Sequence, residues 1–150
     1  MAESRAQRMH VVLVLAERNE QKAGQQFSQY RTQVDAEAEQ LRQLDDYAKQ
    51  YLQTYSERKV AVRPQEMIAY SGFIQRLGEA CKEQQAKLER MNKALAKFQQ
   101  TWRTAYQKRE SIKELIARLR LEENAQLDKR LQKELDELVG QAYSRQPEEK

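Results

Sequence analysis

The stretch IQRLGEACKEQQAKLERMNKALAKFQQTWRTAYQKRESIKELIARL, residues 74–119, decides the fold of this chain. Apolar residues recur in it at alternating steps of three and four, and the repeat is kept for about six heptads. A sustained heptad repeat is typical of a supercoiled helix rather than of a helix packed on a wide core. The members of this seam, of which only Gln84 and Arg109 are polar, are Ile74, Leu77, Cys81, Gln84, Leu88, Met91, Leu95, Phe98, Trp102, Ala105, Arg109, Ile112, Ile116 and Leu119.

A second seam of the same kind lies earlier in the chain, with Glu20 and Glu37 as its polar members. The pattern is lost over residues 56–63, and Pro64 follows, which suits the first turn of a helix and disfavours helix before it. The later seam does not continue the phase of the earlier one, so the gap is a connection. The members of the first seam are Leu13, Ala16, Glu20, Ala23, Phe27, Tyr30, Val34, Glu37, Leu41, Leu44, Ala48, Tyr51 and Tyr55.

The sequence therefore predicts an all-α fold, a long antiparallel two-helix coiled coil (an α-hairpin) whose second helix is longer and overhangs. We expect a single coiled-coil domain, 1–150, with a helix over about 5–57, a turn over about 58–64, a helix over about 65–141 and a frayed tail over 142–150. Ser4 and Gln7 form a weak capping box at the start, and Gly140 is a plausible stop.

Fixing the turn near residues 61–62 gives the expected pairing, in which the numbers of facing residues sum to roughly 124. Tyr51 then faces Phe73, residue 5 faces residue 119, and everything after about Leu119 has no partner within the chain. The predicted facing pairs nearer the turn are Tyr47 with Leu77, Leu44 with Ala80, and Gln40 with Gln84.

Composition excludes several classes of protein. The apolar run Val11–Ala16 is far shorter than the roughly 18 residues of a membrane span, and no cleavage site follows it, so we expect neither a transmembrane segment nor a signal peptide. Cys81 is the only cysteine, which fits a reducing cytoplasm and a small buried side chain. His10 is the only histidine, so a multi-histidine metal site is impossible. With no glycine-rich loop and no acid–base motif, we expect no enzyme, no cofactor and no small-molecule substrate.

Charge is unevenly distributed, although the net charge is only +4. The segment 82–109 carries eight Lys and Arg against two Glu, while the segment 35–46 carries five acidic residues against Arg42. These segments are interpreted as solvated faces that attract each other. The alternative, a nucleic-acid surface, lacks any groove-reading motif.

An aromatic cluster gathers near the predicted turn, formed by Tyr47, Tyr51, Tyr55, Tyr70 and Phe73. A two-helix coiled coil cannot bury two neighbouring stripes, so some of this apolar surface must stay exposed, and exposed aromatic surface often marks a binding site. The other interpretation is that these rings belong to the seam and only their hydroxyl groups reach water.

The chain resembles the flagellar FliJ family of the bacterial type III export apparatus. The resemblance rests on the order and spacing of five segments: LVLAERNEQKAGQQF at 13–27, LRQLDDYAKQY at 41–51, YSGFIQRLGEAC at 70–81, TW at 101–102 and RLQKELDEL at 130–138. It implies a non-enzymatic coiled-coil stalk, similar to the stalk helices of a rotary ATP synthase, in the cytoplasm and peripherally at the inner membrane of the flagellar base.

The resemblance also implies protein partners. These are the hexameric export ATPase FliI, its regulator FliH, the export gate protein FlhA and substrate chaperones. The gate patch of the family maps onto Gln40, Leu44, Tyr47, Tyr51, Phe73, Leu77, Ala80 and Gln84. The overhang, which we expect to enter the ATPase ring, carries Leu127, Leu131, Leu135 and Leu138. Two alternatives remain open, namely the equivalent stalk of a virulence injectisome and a generic coiled-coil scaffold that dimerises through opened helices.

Overall fold

Two long α-helices account for almost all of the computed structural model, which describes residues 3–58 and 63–145. Helix α1 spans Arg5–Arg58 with 54 residues, and helix α2 spans Pro64–Ser144 with 81 residues. The predicted all-α fold with a longer second helix is confirmed. Most of the predicted turn, 59–62, and the end of the predicted tail, 146–150, lie outside the described residues.

The start of α1 is held by its own side chains and by α2. The backbone N–H of Ser4 donates to Gln7 Oε1 at 3.0 Å, and the N–H of Gln7 donates to Ser4 Oγ at 3.1 Å, so the predicted capping box is confirmed. The N–H of Ala6 donates to Glu123 Oε1 at 3.1 Å. A carboxylate from α2 therefore accepts from one of the free N–H groups at the positive dipole end of α1.

Helix α2 begins at Pro64, where the missing N–H has no helical acceptor to lose, and Glu66 lies in its first turn. It runs through Gly140 to Ser144. No described glycine has a positive φ, so Gly140 is not the left-handed stop that we expected. One glycine inside a helix costs about 1 kcal/mol relative to alanine. The helix propensity of the residues on both sides can outweigh this cost.

The chain divides into two compact units. The first unit joins α1 up to Glu20 with α2 from Ala105 onward. Ala16, Ile112 and Ile116 form its buried core, and Met9 and Leu13 pack against them. The small side chain of Ala16 leaves room for the two isoleucines, so the core is thin but closely packed.

The second unit spans Gln21–Thr104, and in it aromatic rings of the two helices contact each other. The rings of Tyr30 and Phe98 lie 4.9 Å apart, and the stacked rings of Phe27 and Trp102 lie 6.4 Å apart. Gly24 lets the indole approach α1, since a Cβ at Gly24 would lie 3.2 Å from Cδ1 of Trp102. These pairs run in opposite directions along the two helices, which confirms the antiparallel arrangement.

All predicted seam residues are buried or half-buried, but the register differs from the expected one. Tyr51 packs on Phe73 as predicted, with ring centroids 4.5 Å apart. In the first unit the prediction that residue 5 faces residue 119 is wrong, because Ala6 contacts Glu123. The polar seam members Glu20 and Arg109 meet there, and their attraction fixes a pairing roughly one turn further along α2. Among residues 3–58 and 63–145, the part of α2 that α1 leaves unpaired therefore begins near Glu123 rather than after Leu119, and Ser4 borders a groove that extends to Leu127.

Candidate binding surfaces

Tyr51 is the centre of the aromatic cluster. Its ring lies 4.5 Å from that of Phe73, 5.0 Å from that of Tyr70 and 5.8 Å from that of Tyr47. Tyr55 extends the contact, with its ring 5.8 Å from that of Tyr70. Desolvation and the neighbouring Tyr70 raise the pKa of Tyr51, so the hydroxyl of Tyr51 stays protonated at neutral pH. The cluster forms a continuous aromatic surface, and Tyr47 at its edge is 49% exposed.

The eight predicted gate-patch residues lie on both helices of the second unit. Gln40 and Tyr47 are exposed, whereas the other six are half-buried. Leu44, Ala80 and Gln84 line one shallow surface groove. The gate patch, meaning these eight residues, therefore combines packed seam side chains with accessible flanks.

Gln84 is held by a partner that the sequence reasoning missed. Its Nε2 donates to the carboxylate of Glu37, one turn before the expected neighbour Gln40. Lys87 Nζ lies 2.9 Å from the other oxygen of the same carboxylate. The hydrogen bonds from Lys87 and then Gln84 hold the pKa of Glu37 below its ordinary value of 4.5. Lys87 and Glu37 form the one ion pair, within the described ranges, that joins the predicted basic and acidic segments.

A second polar contact crosses the seam in the first unit. Arg109 Nε lies 2.6 Å from Glu20 Oε2, and both side chains are only about one-fifth exposed, at 20% and 19%. The guanidinium also contacts Glu110 at 3.1 Å and lies 5.0 Å from the ring centroid of Tyr106. Each polar member of one seam is thus matched by a polar member of the other. This matching was visible in the sequence as the four exceptions to two apolar stripes.

The carboxy-terminal part of α2 exposes a row of leucines. All four predicted overhang residues are exposed: Leu127 53%, Leu131 55%, Leu135 61% and Leu138 63%. Val139 and Tyr143, which the sequence reasoning did not single out, are exposed at 61% and 78%. A contiguous apolar face of this kind on a helix is a candidate interface.

The candidate metal and thiol chemistry of the chain is limited. His10 is exposed, and within residues 3–58 and 63–145 no three His, Cys, Asp or Glu side chains come together as metal ligands. Burial raises the pKa of the half-buried Cys81 thiol, and a hydrogen bond with Asp45 raises it further. Cys81 is therefore a neutral packing residue at physiological pH. Neither described helix contains a segment long and apolar enough to cross a membrane.

Comparison with known proteins gives one family. The family model of the flagellar FliJ protein matches residues 5–148, which includes both helices and all the surfaces described above. No curated protein and no solved structure matched the chain. Because the family match runs along nearly the whole sequence, the chain belongs to the flagellar FliJ family, and it is a component of the flagellar type III protein export apparatus.

Proposed function

We propose that the protein binds the export ATPase through the exposed carboxy-terminal part of α2 and binds the export gate through the gate patch. In this role it promotes assembly and activity of the ATPase ring and couples the ring to the gate. It would act on the cytoplasmic side, peripherally at the inner membrane, with the ATPase regulator and substrate chaperones as further partners.

The observation that carries the ATPase half of this proposal is the set of leucines beyond Glu123. Four leucines at more than 50% exposure are costly in water, at about 25 cal/mol per Å² of apolar surface left uncovered. A partner that covers them recovers this free energy. A ring with a central channel could surround such a helix on several sides.

Deletion of residues 125–150 tests this half. The contacts of Ala6, Glu20 and Ile112 lie before the deletion, so we expect the helix pair to remain folded while stimulation of ATP hydrolysis is lost. Circular dichroism and an ATP turnover assay with the purified export ATPase decide this. Normal stimulation by the truncated protein would refute the assignment.

The gate half rests on the partly accessible aromatic surface around Tyr51. We expect Phe73→Ala or Leu77→Ala to weaken binding to the export gate in a pull-down assay while ATPase stimulation is kept. A thermal melt of each variant separates lost contact from lost folding. Equal loss of gate binding and ATPase stimulation in a folded variant would reject separate roles for the two surfaces.

A generic scaffold formed by two opened chains is the competing function. The antiparallel contacts within each unit favour pairing inside one chain. Sedimentation equilibrium would support the scaffold if the protein were a dimer at micromolar concentration. The description of the family as flagellar favours the flagellar system over an injectisome.

A further inference from the structure

The segment Glu134–Tyr143, near the end of the exposed part of α2, differs in pattern from the seam. In an α-helix each residue is rotated by about 100° from the previous one. Measured from Leu135, the other apolar residues fall within an arc of about 140° that ends at Leu138 on one side and Tyr143 on the other. Val139 and Ala142 lie inside this arc.

This arc is bounded by acidic residues. Glu134 lies at about −100° and Asp136 at about +100°, so each follows one edge of the apolar face. Glu137 lies at roughly −160°, on the opposite side of the helix. The segment contains three acidic and no basic residues, although the whole chain has a net charge of +4. All three carboxylates are exposed, and none forms an ion pair within the part of the chain that the structure describes.

The arc does not face the direction in which α2 meets α1. Ile112, Ile116 and Leu119, which pack toward α1, are centred roughly 140° away from the middle of the arc. A helix that continued along the line of α1 would therefore not cover Leu135 and Val139. A single helix covers a narrow two-column stripe, whereas a 140° face needs a concave surface.

From this arrangement we propose that Glu134–Tyr143 docks into an apolar groove, on a partner protein, whose two rims carry Lys or Arg. The groove encloses Leu135, Leu138 and Val139, and its basic rims contact Glu134 and Asp136. This inference rests on the proposed function in taking the export ATPase as the partner, and it adds the chemistry of the docking surface.

Three charge-reversal variants that change the net charge by the same amount test the proposal. Glu134→Lys and Asp136→Lys place a cation at a rim, whereas Glu137→Lys makes the same change on the far side of the helix. We expect each rim variant to weaken binding to the purified ATPase at least tenfold in an affinity titration, and Glu137→Lys to change it less than threefold. The affinity of the unchanged protein should fall as salt is raised from 50 to 500 mM.

A Leu135→Ala, Leu138→Ala variant separates this inference from the proposed function. If that variant loses binding while the three charge variants bind equally, the basic rims are refuted and the ATPase assignment stands. If every variant binds and stimulates the ATPase normally, the assignment itself fails. Concentration-dependent self-association that the leucine variant abolishes would instead identify a second copy of the chain as the occupant, and would overturn the proposal.

Discussion

Three glycines inside the helices should respond to alanine in three different ways. Gly78 has open space where a Cβ would be, Gly24 faces the indole of Trp102, and Gly140 lies in the unpaired part of α2. All three have helical backbone without positive φ, so alanine causes no backbone strain at any of them. The differences among the three variants therefore report packing and cooperativity alone.

The magnitudes follow from these surroundings. Gly78→Ala gains about 1 kcal/mol of helix propensity at no steric cost, which raises the melting temperature by roughly 2–4 °C for a chain of this size. Gly24→Ala gains the same propensity but places Cβ 3.2 Å from Cδ1 and 3.3 Å from Nε1 of Trp102. Overpacking of this kind costs about 1–3 kcal/mol, so we expect no gain or a net loss of up to about 2 kcal/mol.

Gly140→Ala should behave differently from both. Its helix propensity gain is local, because no residue of α1 packs beside it and the cooperative transition does not depend on it. We expect a larger helical signal at low temperature and an unchanged melting temperature. Gly72 also has open space, so Gly72→Ala with Gly78→Ala should give about twice the gain of the single variant.

Thermal melts followed by circular dichroism at 222 nm and by tryptophan fluorescence measure these effects. Fluorescence reports Trp102 directly, so Gly24→Ala should also shift its emission, whereas Gly78→Ala should not. An equal rise in melting temperature for Gly24→Ala and Gly78→Ala would refute the close approach of the indole. An equal rise for Gly140→Ala would show that the exposed leucines unfold together with the paired helices.

Three further predictions concern the polar contacts. Arg109→Leu should lower the free energy of unfolding by roughly 2 kcal/mol, because it leaves the half-buried Glu20 without its cation. In urea melts, the double variant with Glu20→Leu should recover most of this loss. A double variant as unstable as the single one would contradict the prediction. The pKa of Glu37 is lowered from 4.5 in the folded protein. The ionised carboxylate therefore stabilises the fold fully above pH 4.5, and this stabilisation is lost as the pH falls through the pKa of the folded state. Glu37→Gln should flatten the loss of melting temperature below pH 5, whereas an unchanged acid profile would rule the contact out. Glu123→Ala should remove the cap on α1 and cost about 1 kcal/mol, and Glu122→Ala is the control; equal effects of the two would refute the cap.

The heptad seams predicted most of the fold because burial in a helix pair depends mainly on which residues share a face. Every residue of both stripes is buried or half-buried, and Tyr51 meets Phe73 as expected. The polar contacts between the two helices were not predicted, because the symmetric pairing about the turn placed Gln40 rather than Glu37 beside Gln84. Had the polar exceptions been matched to each other, the register at Glu20 and Arg109 would have followed from the sequence.

The candidate surfaces were predicted less completely for a related reason. The leucines of Leu127–Leu138 were visible in the sequence as a stripe with steps of three and four. Val139 and Tyr143 do not follow that spacing, and they belong to the same apolar face only when the positions are projected down the helix axis. Gly140 was interpreted as a stop because glycine often ends helices, whereas here it lies inside α2. Propensity at one position does not decide where an 81-residue helix ends.

The ion pair between Glu20 and Arg109 has a mechanical consequence. A slip of the helices by seven residues in one direction would set Glu20 against Ile116, and the same slip in the other direction would set Arg109 against Leu13, so either slip buries a charge among hydrocarbon. Sliding in either direction therefore raises the free energy, and the ion pair holds the two helices in one register. A protein pulled at its exposed end would return to the same alignment each time the load was released.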